Sequence, residues 1–248
     1  MKKRLVKLGV TLGLVAAVGV GRTLAALSQT SGPVTNTFAV GDNIESGDFS
    51  IKETDVKFEN GNYVYNTIDK QANPTKTANS YTNVLPKATL AKDPTVMFDE
   101  SKVEDMPAVY MFVKVDGLDD IYMSGKGLSI AENGWGTEWK KVSLNGGAVS
   151  TTNASQVKDG ERDGIYVYEE SNGNRKIVPE NLTASSYKLP AVFTSLKVSN
   201  AFEMSFTKDV NDTVEITACA VQYDNVDLAE AYTLANQKLN PTTTSSEE

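Results

Sequence analysis

Three carboxylates crowd into five residues at Asp116-Gly117-Leu118-Asp119-Asp120, directly after a run of β-branched and aromatic residues. Carboxylate oxygens are the ligands calcium takes, so such a loop can hold that cation. It lacks the ligand spacing and closing glutamate of an EF-hand, and a solvated turn explains the same residues. Trp135 and Trp139 flank Gly136-Thr137-Glu138. They either present aromatic surface to a sugar or a partner, or pack into a core. Tyr166 and Tyr168 share one face of a candidate strand, where surface or interface roles suit them better than catalysis.

The chain contains no histidine. That removes His-based triads, HExxH zinc sites and the commonest general base, and leaves carboxylate, Lys or Tyr chemistry. Cys219 is the single cysteine, so there is no intramolecular disulfide and no CxxC metal site. Its neighbours Ile216, Ala218, Ala220 and Val221 point to a buried small hydrophobe in a strand over a reactive thiol.

The elements that must position these residues are mostly strands. Short stretches rich in Val, Ile, Thr, Tyr and Phe alternate with Gly, Asn, Asp and Pro, and predict strands over 35–40, 49–52, 63–66, 95–98, 108–116, 164–169, 191–198, 201–207 and 213–223. Asn60-Gly61, Asn133-Gly134, Asn145-Gly146 and Asn172-Gly173 are turn dipeptides. In the last strand Val214, Ile216, Ala218, Ala220 and Gln222 share a face that reads as core, while the opposite face, with Glu215, Cys219 and Val221, is mixed. One helix is predicted over about 228–238, with Asp227 and Glu230 spaced as a capping box and Leu228, Ala231, Tyr232, Ala235 and Leu239 as its apolar stripe. Residues 26–239 read as a single β-rich domain and 240–248 as a disordered tail.

Ahead of the domain, Lys2, Lys3, Arg4 and Lys7 precede an apolar run over 8–20, the pattern of a secretory signal helix. The run is short of the roughly 20 residues a permanent span needs, so no lasting membrane anchor is expected. Thr23 and Ala25 supply the small residues before a cut, leaving Ala26 as the new N-terminus. Loss of Lys2, Lys3, Arg4, Lys7 and Arg22, with no acidic residue among 1–25, takes the net charge from −8 to −13. Such acidity argues against binding nucleic acid or anionic membrane.

Several segments together resemble the secreted TasA and camelysin family, whose members carry an alternate signal peptide. They are Thr23-Leu24-Ala25-Ala26-Leu27 followed by 34–41, Lys92-Asp93-Pro94-Thr95-Val96, 108–115, 190–198, 216–222, and the Ala229-Glu230-Ala231-Tyr232 helix. The resemblance implies a jelly-roll-like β-sandwich exported through a SipW-type signal peptidase. It also implies self-assembly into extracellular fibres of a biofilm matrix, with the freed N-terminal segment of one subunit adding as a strand to the next. The donor would be 26–40, with Leu27, Val34, Phe38 and Val40 as anchors. Gly32-Pro33 interrupts it, so pairing is expected to begin at Val34. The same residues can instead form the domain's own first strand. Camelysin brings an association with metallopeptidase activity, which a chain without histidine supports poorly. The alternative class is a monomeric secreted module that binds calcium or a glycan at 116–120 or 135–139.

Overall fold

The computed structural model describes residues 28–31, 44–45, 47–81, 84–182, 187–201 and 214–241. The expected strands over 35–40 and 201–207 therefore lie outside the described residues, apart from Ala201. So do the signal segment and all but Pro241 beyond Asn240.

The fold is all-β, with strands in three sheets. A six-stranded sheet contains β1 (Ser28–Ser31), β8 (Val109–Asp116), β10 (Trp139–Asn145), β11 (Ala148–Asn153), β12 (Gly164–Tyr168) and β14 (Glu215–Gln222), in the order β1-β14-β8-β12-β10-β11. A five-stranded sheet orders β3 (Val56–Glu59), β4 (Asn62–Tyr65), β6 (Thr89–Ala91), β13 (Ser195–Val198) and β9 (Leu128–Ile130) as β3-β4-β6-β13-β9. A small third sheet holds β5 (Pro74–Lys76), β2 (Phe49–Thr54) and β7 (Thr95–Phe98).

The period of 2 along each strand sorts side chains between two cores. Val109, Met111, Val113 and Val115 of β8 point inward with Ile216, Ala218 and Ala220 of β14, where they meet Phe49, Ile51, Leu90, Val96, Leu196 and Val198 from the other two sheets. Tyr110 and Phe112 of β8 and Cys219 and Val221 of β14 point the other way. Helix α1 (Leu118–Tyr122) is a single turn after β8, whereas α2 (Leu228–Leu239) covers this outer face through Ala231, Ala235 and Leu239. The small side chains of Ala231 and Ala235 let the helix sit close on the sheet. Each large apolar side chain so buried stabilises by about 1.5–3 kcal/mol.

This packing explains the mixed face expected of the last strand, which is buried beneath a helix. Cys219 is fully buried there, as its neighbours predicted. The helix begins where expected: Asp227 Oδ1 accepts from the Glu230 backbone N–H at 2.9 Å.

Turn chemistry holds at Asn60-Gly61, where both residues have positive φ and β3 pairs with β4. The second hairpin is shifted by one residue. Asn145 pairs with Ala148 inside the ladder, and Gly146-Gly147 forms the turn, because two glycines take the positive φ values of 60° and 88° without a Cβ penalty. The strand expected over 191–198 is regular only at β13, and upstream Phe193 makes an isolated bridge to Trp135.

Candidate functional site

The N-terminal segment meets the fold at the outer edge of β14. β1 runs antiparallel to it, with Ser28 opposite Val221, Gln29 opposite Ala220, Thr30 opposite Cys219 and Ser31 opposite Ala218. Pairing thus occurs ahead of Gly32-Pro33, earlier than the expected start at Val34. Proline lacks the N–H a ladder needs, and the described strand ends two residues before it. Of the residues expected to mark cleavage and subunit contact, Thr23, Ala25, Ala26, Leu27, Val34, Phe38 and Val40 all lie outside the described residues. Ser-Gln-Thr-Ser carries no apolar alternation, so the sequence offered no strand signal at the place where pairing is observed.

The carboxylates of the 116–120 loop do not converge. Asp116 pairs with Lys114 Nζ at 2.9 Å, and Asp120 is exposed. Asp119 accepts from the backbone N–H groups of Arg162 at 2.7 Å and Asp163 at 3.0 Å. Among the described residues, no group of three or more His, Cys, Asp or Glu side chains is placed to hold a metal ion.

The two tryptophans are inside the sandwich. Trp139 is fully buried and its Nε1 donates to Pro190 O at 2.9 Å. Trp135 stacks on Tyr166 with ring centroids 5.3 Å apart, and the Arg162 guanidinium lies 5.5 Å from the Trp135 ring centroid. Tyr166 is likewise buried, so the surface role expected of it does not hold, whereas Tyr168 is half-buried and packs one side against the same core. Their strand lies mid-sheet between β8 and β10, where the face that carries them turns inward.

A polar site apart from the candidate loci at 116–120 and 135–139 lies where β2 ends and the chain crosses from β6 to β7. Lys92-Asp93-Pro94-Thr95 makes that crossing, and Glu53, Thr54, Lys92, Asp93 and Thr95 are all buried. Buried charge is costly unless paired, and here every member has a partner. Lys92 Nζ donates to Glu53 Oε1. The other Glu53 oxygen accepts from Asn79 Nδ2 at 3.1 Å, and Asn79 Nδ2 also donates to Thr54 O at 2.8 Å. Asp93 accepts from the Thr54 backbone N–H at 2.7 Å and from its hydroxyl at 2.6 Å. Burial raises the Asp93 pKa, the hydrogen bonds from Thr54 oppose that, and the nearby Glu53 charge adds to it.

Tyr65 and Tyr81 close this site. Their hydroxyls donate to Thr194 O and Ala91 O. Burial, reinforced by the charges of Glu53 and Asp93, pushes both phenols far above the ordinary tyrosine range. The sequence signal was present in Lys92-Asp93, but Glu53 is distant in the chain and only the sheet packing brings it near.

No family model, curated protein or solved structure gives a significant match to this chain.

Proposed function

We propose that the chain is a secreted structural subunit of an extracellular fibre or biofilm matrix. In this reading a jelly-roll-like β-sandwich assembles when the N-terminal segment of one copy adds as a strand to the six-stranded sheet of the next. The observation that carries it is the β1–β14 pairing: a four-residue strand laid against the outer edge of a sheet. Backbone bonds of this kind can be made by the chain's own segment or by a neighbour's in the same register. A contact between an arm and a distant edge joins unlike patches, and such contacts grow open filaments. Export through a SipW-type signal peptidase belongs to the same reading. Cleavage after Ala25 would leave Ala26 and Leu27 ahead of β1, a free end well suited to exchange.

The alternative class, a monomeric binding module for calcium or a glycan, draws less support from its expected loci, since Trp135 and Trp139 are buried and the Asp116 and Asp119 carboxylates are engaged by Lys114 and by backbone N–H groups. Electron microscopy of the secreted protein at rising concentration tests the proposal. Fibres that vanish on deletion of residues 26–40, with the domain still folded by circular dichroism, are the expected result. Monomers in both forms at every concentration would overturn it.

A further inference from the structure

The chain has no disulfide to brace it, and the buried site around Glu53 holds the groups for a different covalent link. Lys92 supplies an amine, Asn79 a carboxamide, and the Glu53 carboxylate touches both, one oxygen on each. Lys92 and Glu53 are 7% and 4% exposed, so the amine and the carboxylate are screened from water, and Asn79 beside them is half-buried. The three come from different parts of the fold: Glu53 from β2, Asn79 from the connection between β5 and β6, and Lys92 from the crossing between β6 and β7.

We propose that this is a self-modification site, at which Lys92 Nζ forms an isopeptide bond to Asn79 Cγ with Glu53 as the proton carrier. Glu53 first takes a proton from the Lys92 ammonium, which leaves a neutral amine and a neutral acid and relieves the cost of two buried charges. The free amine attacks Asn79 Cγ. The bond from Cγ to Nδ2 then breaks, and the two protons shed by the lysine nitrogen pass through Glu53 to the departing amide nitrogen, which leaves as ammonium and returns Glu53 to its carboxylate. Lysine ammonium and carboxamide become a secondary amide and an ammonium ion, so no oxidant, reductant or further reactant is required. The new bond closes the chain between residues 79 and 92, a loop that includes Tyr81 and β6.

The proposal does not depend on fibre assembly, and intact-mass measurement of the secreted protein tests it. N-terminal sequencing fixes the expected mass. A deficit of about 17 Da, one ammonia, is expected, with a cross-linked peptide joining Lys92 to Asn79 in the digest. A mass equal to that of the sequence overturns the proposal. So does a deficit of about 18 Da, which would mean loss of water and condensation with a carboxylate, or a deficit mapped to other residues. Glu53→Gln and Lys92→Arg should each restore the full mass, and because the wild-type protein carries the primary result, a poorly folding variant leaves the test intact.

Discussion

Asp119 and Asp163 cap one another. The Asp119 carboxylate accepts from the backbone N–H groups of Arg162 and Asp163, and the Asp163 carboxylate accepts from those of Gly117 at 3.0 Å, Leu118 at 2.7 Å and Asp119 at 3.3 Å. The loop after β8 and the approach to β12 are thereby tied together by five backbone-to-carboxylate hydrogen bonds. Asp163→Ala leaves Gly117 and Leu118 without these acceptors and should cost about 1–3 kcal/mol in urea denaturation. Calcium should not restore the loss; recovery on adding calcium would show that the loop is a cation site after all.

How far this site could be read beforehand depends on distance along the chain. The run Asp116 to Asp120 is visible as a cluster, but its principal partner Asp163 lies more than forty residues away, and no local pattern joins them. The strands that bury one or both faces, such as β7, β8, β12 and β14, were legible because apolar residues dominate them. β10 and β11 were not: their hairpin is largely exposed beyond Val142, so the alternation that betrays a half-buried strand is missing. β5, β6 and β9 have three residues each, too few to show any period. The tryptophans take the core packing that is one of the two readings of their spacing, whereas the inward turn of Tyr166 follows from its place mid-sheet, which composition does not reveal.

Gly136 is required for close approach. A Cβ built there would lie 2.3 Å from Ala191 O and 2.9 Å from Trp139 Cδ1, and the first of these is backbone that cannot swing aside. Gly136→Ala should therefore destabilise the domain by about 3 kcal/mol, through overpacking beside the buried indole. Chemical denaturation followed by tryptophan fluorescence reads this directly, and a loss below about 0.5 kcal/mol would count against so tight a contact.

The buried aspartate of the 92–95 crossing makes stability depend on acidity. Folded Asp93 keeps its proton to a higher pH than the ordinary aspartate value of 3.8. Between that value and the raised one, the folded state binds more protons than the unfolded, so this group's contribution to stability falls as pH rises. Whatever fixed cost Asp93→Asn carries, the gap in unfolding free energy between wild type and variant should move in the variant's favour as pH climbs through this window. Movement toward the wild type would contradict the raised pKa.

Strand exchange can be probed with single prolines. Successive residues of an antiparallel strand send their N–H groups to opposite sides, so of Gln29 and Thr30 one faces β14 and the other faces away. Gln29→Pro and Thr30→Pro should differ: one abolishes fibres and the other weakens them little, while the circular dichroism of both matches wild type. Equal fibre yield from both variants would mean that the ladder with β14 is not the contact.

The polarity of β1 bears on the geometry of any filament it joins. A strand without apolar alternation has no hydrophobic pattern to lock its register, and slips by two residues preserve which way each N–H points. At about 3.4 Å per residue, such a slip changes the reach of the arm by about 7 Å. In the proposed fibre the subunit repeat would then be quantised rather than fixed, with neighbouring units spaced at values one such step apart along the same filament.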